Sequence, residues 1–162
     1  MSRAEGDNEA LAGRILERAR AHGAEQAEVS VQAASGLSAS VRLGEVDTLE
    51  YHRDKGCSVT VFIGQAQGSA STSDFSDRAV DAAAEKACAL ARLTSPDPAN
   101  GLADPRSLAT EIPDLDLDHP AEMEPDDAVE RARACEDAAR AVDSRITNSE
   151  GGEFSWGRGT VV

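Results

Sequence analysis

The sequence predicts an α+β fold: an antiparallel β-meander with helices packed on one face, followed by a Pro-rich connector and a further helix. Three observations support this. Apolar and polar residues alternate over residues 28–73, as they do in half-buried strands. Helical apolar periodicity precedes and follows that region. All six prolines lie between Pro96 and Pro125, where they disfavour helix and central strand.

The same observations divide the chain into three segments, each with a different composition. Residues 1–95 are expected to form a domain of helix, antiparallel sheet and helix, and residues 96–124 an acidic, Pro-rich connector. Residues 125–162 are expected to form a helix and the start of a β-hairpin that leads into an absent C-terminal domain. At 162 residues the chain is long enough to bury a core of its own.

Two helices flank the predicted sheet. The first is expected over residues 8–22, where Leu11, Ile15 and Ala19 recur every four residues and Gly23 follows. The second is expected over residues 77–93, with Ser76 as its N-cap and a narrow stripe of small residues. Each helix has one apolar stripe, so both should pack on the same face of the sheet.

About five antiparallel strands are expected between Glu28 and Ser73. The alternating runs are "AEVSVQA", "LSASVRL", Val46–Tyr51 and Val59–Ile63, and the small polar run "GSASTS" reads as an edge strand. The connections are too short for crossover helices, so neighbouring strands should pair antiparallel. The turn signals that separate the runs are Ser35-Gly36, Gly44-Glu45, Lys55-Gly56 and Gly64-Gln65.

The C-terminal part is expected to begin with a helix at Pro125, a residue that suits the first helical position. The tail "RITNSEGGEFSWGRGTVV" predicts a strand, a Gly151-Gly152 turn and a second strand. The apolar face of the helix is predicted to consist of Val129, Ala132, Cys135, Ala139 and Val142.

Charge and cysteine usage exclude several classes of function. Lys and Arg number 16 against 30 for Asp and Glu, a formal charge of −14, which disfavours nucleic acid and anionic membranes as partners. Cys57, Cys88 and Cys135 are widely spaced and are expected to be buried thiols in a reducing cytoplasm. Since no signal peptide or long apolar run is visible, we expect a cytoplasmic protein with no membrane contact.

The stretch "PDLDLDHP" contains the one arrangement typical of a metal site. Asp114, Asp116 and Asp118 resemble the opening of a calcium loop, which requires Gly at its sixth position and Glu at its twelfth. Those positions hold His119 and Pro125. We therefore expect no tightly bound metal but a solvated connector with Leu115 and Leu117 facing the core; a weak metal contact is the alternative.

No self-contained catalytic site is predicted elsewhere. His22, His52 and His119 have no second ligand at metal-binding spacing, and no HExxH motif is present. "GSASTS" lacks the GxSxG pattern, and "GGEFSWGRG" lacks the Lys-Ser/Thr ending of a phosphate loop. The sequence therefore offers no catalytic, cofactor-binding or metal-binding residue.

Four stretches, taken in order, resemble the N-terminal part of the TldD/PmbA family, and most closely its PmbA branch, also called TldE. They are "GLSASVRLGEVDTLEYHRDKGCSVTVFIGQAQGSASTSDFS", "TSPDPANGLADP", "PDLDLDHP" and "RITNSEGGEFS". The resemblance covers nearly all of the chain from about Ala27 onward. The family, once named modulators of DNA gyrase, consists of cytoplasmic bacterial and archaeal metallopeptidases that trim or degrade peptides and small unfolded proteins.

The resemblance implies a non-catalytic role for this chain. In the family, the TldD branch carries zinc on an HExxxH-type helix in its later half, and the PmbA branch lacks those ligands and forms a heterodimer with TldD. This chain has neither that motif nor that half. Zinc is thus expected only in a TldD-like partner, and extended peptides are the expected substrates. A regulatory module that binds a protein such as gyrase is the alternative.

The resemblance also implies that the natural protein continues past Val162, where a predicted strand ends without a stop signal. A strand cut there would leave an unpaired edge, so we expect weak self-association or peptide binding through it. We further expect helix 125–142 to be loosely held. Amides of residues 125–162 should then exchange faster than those of the 28–63 sheet.

Overall fold

The computed structural model describes residues 3–111, 113–119 and 121–162. Four strands form one antiparallel sheet in the order β3-β2-β1-β4, accompanied by helices, so the predicted α+β class is confirmed. Within the described residues, no helix has the length and apolar character that crossing a bilayer requires. The elements are α1 (Arg3–Ala21), β1 (Gln26–Arg42), β2 (Glu45–Ile63), β3 (Ala66–Thr72), α2 (Asp77–Leu93), a 3₁₀ turn (Pro105–Ser107), α3 (Pro125–Arg140) and β4 (Gly152–Val161).

The strands are fewer and longer than the sequence predicts. Three strands, and not about five, occupy the region up to Thr72, because β1 continues through Ser35-Gly36 and β2 continues through Lys55-Gly56. Gly36 is explained by crowding: a Cβ there would overlap the His52 ring and lie 2.9 Å from the Trp156 carbonyl oxygen. The run "GSASTS" is confirmed as an edge strand, since β3 stands at one end of the sheet order.

The bounds of α1 and α2 agree with the prediction more closely than the strands of the C-terminal tail do. α2 spans the predicted residues, and its N-cap Ser76 accepts a hydrogen bond from the Ala79 N–H. α1 begins earlier than expected, at Arg3. In the tail, residues 145–150 were predicted to form a strand and do not; β4 is instead a single strand beside β1. Directly after β4, the backbone N–H groups of Val162 and Val31 each donate to the other residue's carbonyl oxygen.

The chain divides into two compact units. Unit one comprises Met1–Ala33, Lys55–Leu115 and Thr160–Val162; unit two comprises Ala34–Asp54 and Asp116–Gly159. The long strands β1 and β2 each contribute residues to both units. Each unit has its own buried cluster of apolar side chains.

The core of unit one lies between its strands and the helices α1 and α2. Alternate positions of β2, Cys57, Val59 and Val61, pack with Val31 of β1 and with apolar side chains of both helices. The helices approach each other closely because α2 presents alanines, and the Cys88 thiol donates to the Ala19 carbonyl of α1 at 3.7 Å. Small residues at this contact replace the large aromatic side chains that the chain largely lacks.

The core of unit two lies between α3 and the strands β1 and β4. Its buried members are Leu37, Ala39, Val41, Ala128 and Ala132, with Phe154 and Trp156 packed at the margin. α3 therefore has packing partners, and the expectation of a loosely held helix is wrong on this point; the exchange rates themselves stay a prediction.

The buried face of α3 also differs from the prediction. Ala128, Ala132 and Glu136 are buried, whereas Val142 lies beyond the helix and is exposed. Cys135 is exposed as well, so only two of the three thiols are buried as expected. The sequence pattern misled because Glu136, a charged residue, occupies the buried stripe.

Two glycines set the spacing between a helix and an edge strand. A Cβ on Gly68 of β3 would overlap the Ala87 carbonyl and the Ala91 N–H of α2. A Cβ on Gly152 of β4 would overlap the Ala132 carbonyl of α3 and lie 2.8 Å from the Glu136 nitrogen. Real Cβ atoms do not approach backbone so closely, and both helices therefore rest directly on the strand backbone.

Glu136 holds the turn that joins β1 to β2. The two turn residues, Leu43 and Gly44, have positive φ angles of 52° and 84°, which two-residue hairpins favour. Their N–H groups donate to the Glu136 carboxylate, from Leu43 to Oε1 at 2.7 Å and from Gly44 to Oε2 at 2.9 Å. A buried carboxylate with both oxygens accepting fixes this turn against α3, and the two donors are satisfied in return.

These hydrogen bonds lower the pKa of Glu136. The Gly44 N–H is the main cause and the Leu43 N–H contributes, while burial acts in the opposite direction. Because the folded pKa lies below the unfolded one, the stabilisation is complete above the ordinary glutamate pKa of about 4.3. It is lost as the pH falls through the folded value.

We expect Glu136→Gln to lower the melting temperature at pH 7 by more than about 4 °C, because the amide nitrogen would face an N–H donor. The difference from the wild type should shrink as the pH falls through the lowered pKa of Glu136, because the wild-type carboxylate then becomes protonated. Thermal unfolding followed by circular dichroism between pH 3 and pH 7 would show this. Glu130→Gln, the same change at an exposed position of α3, is the control; a pH-independent loss for Glu136→Gln would contradict the assignment.

Candidate functional site

The aspartates of "PDLDLDHP" lie in exposed connecting chain, where Asp118 forms an ion pair with β4. The Arg158 guanidinium of β4 donates to Asp118, with Nε 2.7 Å from Oδ1, and this pairing lowers the pKa of Asp118. Leu115 and Leu117 are 65% and 82% exposed, so the prediction that they face the core is wrong. The segment joins β4 through a charged pair and not through apolar burial.

A metal centre is not assembled by the described residues. His119 lies 3.8 Å from Asp116, both side chains being largely exposed. Over residues 3–111, 113–119 and 121–162 no group of three or more His, Cys, Asp or Glu side chains could hold an ion. The expectation that Asp114, Asp116, Asp118 and His119 bind no metal tightly stays a prediction.

The other two histidines have structural surroundings. His22, at the end of α1, lies 3.1 Å from the Asp81 carboxylate of α2, and its carbonyl accepts from Arg92. His52 lies beside Gly36, where the absence of a side chain makes room for its ring. The hydrogen bond given for the His22 ring is to a carboxylate, not to a hydroxyl or thiol that it could activate as a nucleophile.

The two buried thiols are not activated. Burial raises the pKa of Cys57 and of Cys88, and the hydrogen bond from the Cys57 thiol to the Thr72 carbonyl only partly opposes this. A raised pKa keeps a thiol protonated at neutral pH, and the protonated form is not the nucleophile. Both cysteines therefore act as small core residues.

The outer face of the sheet in unit one is covered with hydroxyl groups. A shallow trough of about 280 Å³ is lined by side chains of β1, β2 and β3, among them Gln32, Ser58 and Ser71. No charged residue lines it, so a serine there has no base to activate it. Next to it the Thr60 and Ser69 hydroxyls are hydrogen-bonded at 2.9 Å. The trough lining is polar and carries no charged side chain.

An unusual strand edge lies in unit two. β3 pairs with β2 only from Cys57, opposite Thr72, to Ile63, opposite Ala66. Residues 45–54 of β2, here called the β2 arm, extend beyond this paired stretch. Every residue of the arm is exposed, although the arm is continuous strand.

The β2 arm is the part of unit two best suited to bind an extended chain. Three of its side chains are large and apolar, yet none of them belongs to the buried cluster around α3: Val46, Leu49 and Tyr51. A strand with an open edge can accept another strand through backbone hydrogen bonds. Sequence reasoning missed this arm because it placed a turn at Lys55-Gly56. The strand in fact continues through these residues, so β2 has 19 residues and outruns β3, which has 7.

Two models of one protein family match the chain. The PmbA/TldA metallopeptidase domain 1 matches residues 27–91, and the PmbA/TldA metallopeptidase central domain matches residues 118–162. Together the two segments cover more than half of the chain. The first contains β2, β3 and nearly all of β1 and α2, and the second contains α3 and β4.

Similar proteins and solved structures agree with these matches. The metalloprotease PmbA of Escherichia coli O157:H7 is 46% identical over 136 residues, which are 84% of this chain and 30% of that protein. A crystal structure of a protein described as a modulator of DNA gyrase, from Bacteroides thetaiotaomicron, matches with a TM-score of 0.80 and 26% identity over 96% of this chain. TldE from Thermococcus kodakarensis shares the fold, with a TM-score of 0.69 and 21% identity over 94% of this chain.

The chain spans about a third of the length of these proteins: 30% of the E. coli relative, 35% of the B. thetaiotaomicron protein and 34% of TldE. Family models, sequence identity and fold all point to one family. The chain therefore belongs to the PmbA/TldD metallopeptidase family.

Proposed function

We propose that this chain is the N-terminal, non-catalytic part of a PmbA/TldE-like subunit in a TldD/TldE-type metalloprotease that processes peptides and small unfolded proteins. The observation that carries the proposal is the β2 arm, an exposed strand with an open edge, in a member of a peptidase family. Such an edge can hold a substrate in the extended form that peptidases cleave.

In this role the chain contributes binding and a TldD-like subunit contributes the chemistry. Hydrolysis of a peptide at neutral pH needs an activated water or nucleophile, and the thiols of unit one are protonated core residues. Zinc, and the water that it activates, would belong to the partner subunit. The assembly would act on peptides in the cytoplasm. Nucleic acid is disfavoured as a ligand because the charge of −14 on this chain repels phosphates.

The proposal predicts that the purified chain does not hydrolyse an unstructured peptide but forms a complex with a TldD-like subunit of the same organism. Peptide cleavage would be followed by mass spectrometry, with and without a chelator, and complex formation by size-exclusion chromatography. Chelator-sensitive turnover by the chain alone would refute its non-catalytic role. Separate elution of the chain and the TldD-like subunit at micromolar concentration would refute the subunit assignment.

A regulatory role in binding gyrase is the second candidate. It is favoured by the crystal structure of the B. thetaiotaomicron protein described as a modulator of DNA gyrase, which matches 96% of this chain. The negative charge permits contact with a basic protein surface. Direct titration of the chain with purified gyrase and with a TldD-like subunit separates the two candidates, because each predicts binding to a different protein.

A further inference from the structure

Among the strands of the described residues, none pairs with the outer edge of the β2 arm, and side chains in the same ten residues are uncovered. In unit two, α3 covers β1 and β4, where Leu37, Ala39 and Val41 are buried. On the arm, by contrast, Val46, Leu49 and Tyr51 are 47%, 47% and 62% exposed. An edge strand with exposed apolar side chains is normally paired, covered or blunted in a finished protein.

The polar residues of the arm favour one kind of occupant. Among them are four acids, Glu45, Asp47, Glu50 and Asp54. Its one arginine, Arg53, has a guanidinium nitrogen 3.3 Å from the Tyr51 hydroxyl. A strand added beside the arm would place its side chains next to these acids, and opposite charges stabilise cross-strand pairs whereas like charges destabilise them.

A second copy of this chain fits the edge poorly. It would bring the same acids, and a net charge of −14, against the acids of the first copy. A peptide segment with basic and apolar side chains would instead pair cations with the carboxylates and cover Leu49 and Tyr51. Charge complementarity therefore selects among the possible occupants.

We propose that an extended peptide segment carrying basic and apolar side chains adds to the sheet along the β2 arm, residues 45–54. The inference rests on the proposed peptide-handling function and gives it a place and a substrate class. Backbone hydrogen bonds supply sequence-tolerant affinity, and the acids and apolar side chains of the arm supply selectivity.

Binding of fluorescein-labelled peptides to the purified chain, measured by anisotropy, tests this. One peptide alternates Lys with Leu and Val, its counterpart carries Glu for Lys, and a third is the basic peptide N-methylated at alternate backbone nitrogens. We expect the acidic and N-methylated peptides to bind about tenfold more weakly than the basic one. Glu50→Lys and the double variant Leu49→Ser/Tyr51→Ser should each weaken binding about three- to tenfold.

Matched controls lie on α2 in unit one. Glu85→Lys makes the same charge reversal at an exposed position, and Leu93→Ser removes an apolar side chain that is 85% exposed. Both should bind the basic peptide as the wild type does. Hydrogen exchange should show new protection of amides 45–54 when the basic peptide is present.

The outcomes separate the two levels of the proposal. If the basic peptide binds but the arm variants do not weaken it and protection appears elsewhere, the β2 arm is not the site, although peptide handling stands. If no peptide of any charge binds, both the site and the peptide-handling role fail. If amides 45–54 become protected through concentration-dependent dimerisation without peptide, the occupant is a second copy and the inference is overturned.

Discussion

Replacing Gly152 with valine is expected to destabilise the protein by about 3 kcal/mol or more, a large part of the stability of an ordinary domain. Gly152 begins β4 and lies directly under α3, where a Cβ would overlap the Ala132 carbonyl and lie 2.8 Å from the Glu136 nitrogen. These are backbone atoms, so no side-chain rotation can relieve the overlap. The strand preference of valine, at most about 1 kcal/mol, cannot offset it.

Urea unfolding followed by circular dichroism measures this effect as a shift of the midpoint. Gly157→Ala is the matched control in the same strand, since its nearest neighbour, the Ser35 carbonyl oxygen, would lie at an ordinary 3.6 Å. We expect that control to change the free energy of unfolding by less than about 0.5 kcal/mol. If Gly152→Ala were as harmless as Gly157→Ala, the close packing of α3 on β4 would be disproved.

Gly68→Val is expected to have an effect of similar size on unit one, about 3 kcal/mol or more. A Cβ at Gly68 would overlap the Ala87 carbonyl and the Ala91 backbone nitrogen, which forces α2 away from β3. That displacement would open the contact of α2 with the core residues Val59 and Val61, so apolar burial is lost in addition to the strain.

The unfolding midpoint of Gly68→Val should therefore fall well below that of Gly56→Ala, the control on β2. At Gly56 the nearest atoms to an added Cβ are the Thr72 carbonyl oxygen at 3.8 Å and the Gln32 amide nitrogen at 3.9 Å, both ordinary contacts. Equal midpoints for the two variants would mean that α2 can shift at little cost. The slope m, which should stay unchanged, shows whether the denatured state is the same.

Much of the fold is predictable because it depends on local signals. The sequence predicts α2 over its full length, since Ser76 and a regular alanine stripe mark its start and its buried face. The hairpin turns at Gly44 and Gly64 also follow from local chemistry, as both glycines have positive φ angles, 84° and 59°. The antiparallel order of β1, β2 and β3 follows from these short connections.

Other features depend on partners distant in sequence. The sequence around Gly36 predicts a turn, but Gly36 lies inside the continuous strand β1. A side chain there would collide with the His52 ring and the Trp156 carbonyl oxygen. The burial of Glu136 depends on a turn 92 residues away, and the position of Asp118 depends on Arg158, 40 residues away. No local pattern contains such information.

The candidate site was missed for a related reason. Residues 45–54 look like ordinary alternating strand, and nothing in them says that β3 stops opposite Cys57. Whether a strand edge is open depends on the length of its neighbour. The family resemblance predicted extended peptides as substrates, but it could not place them on this edge.

The reciprocal pairing of Val31 with Val162 has a consequence for the order of folding. The two residues are separated by roughly 130 positions, and closing so long a loop costs entropy that the short hairpins of β1, β2 and β3 do not incur. The three-stranded meander should therefore form early and accept β4 late. During synthesis from the N-terminus, Leu37, Ala39 and Val41 remain without the cover of α3 until that helix has been made. The growing chain thus passes through a stage in which an apolar strand face is open to aggregation.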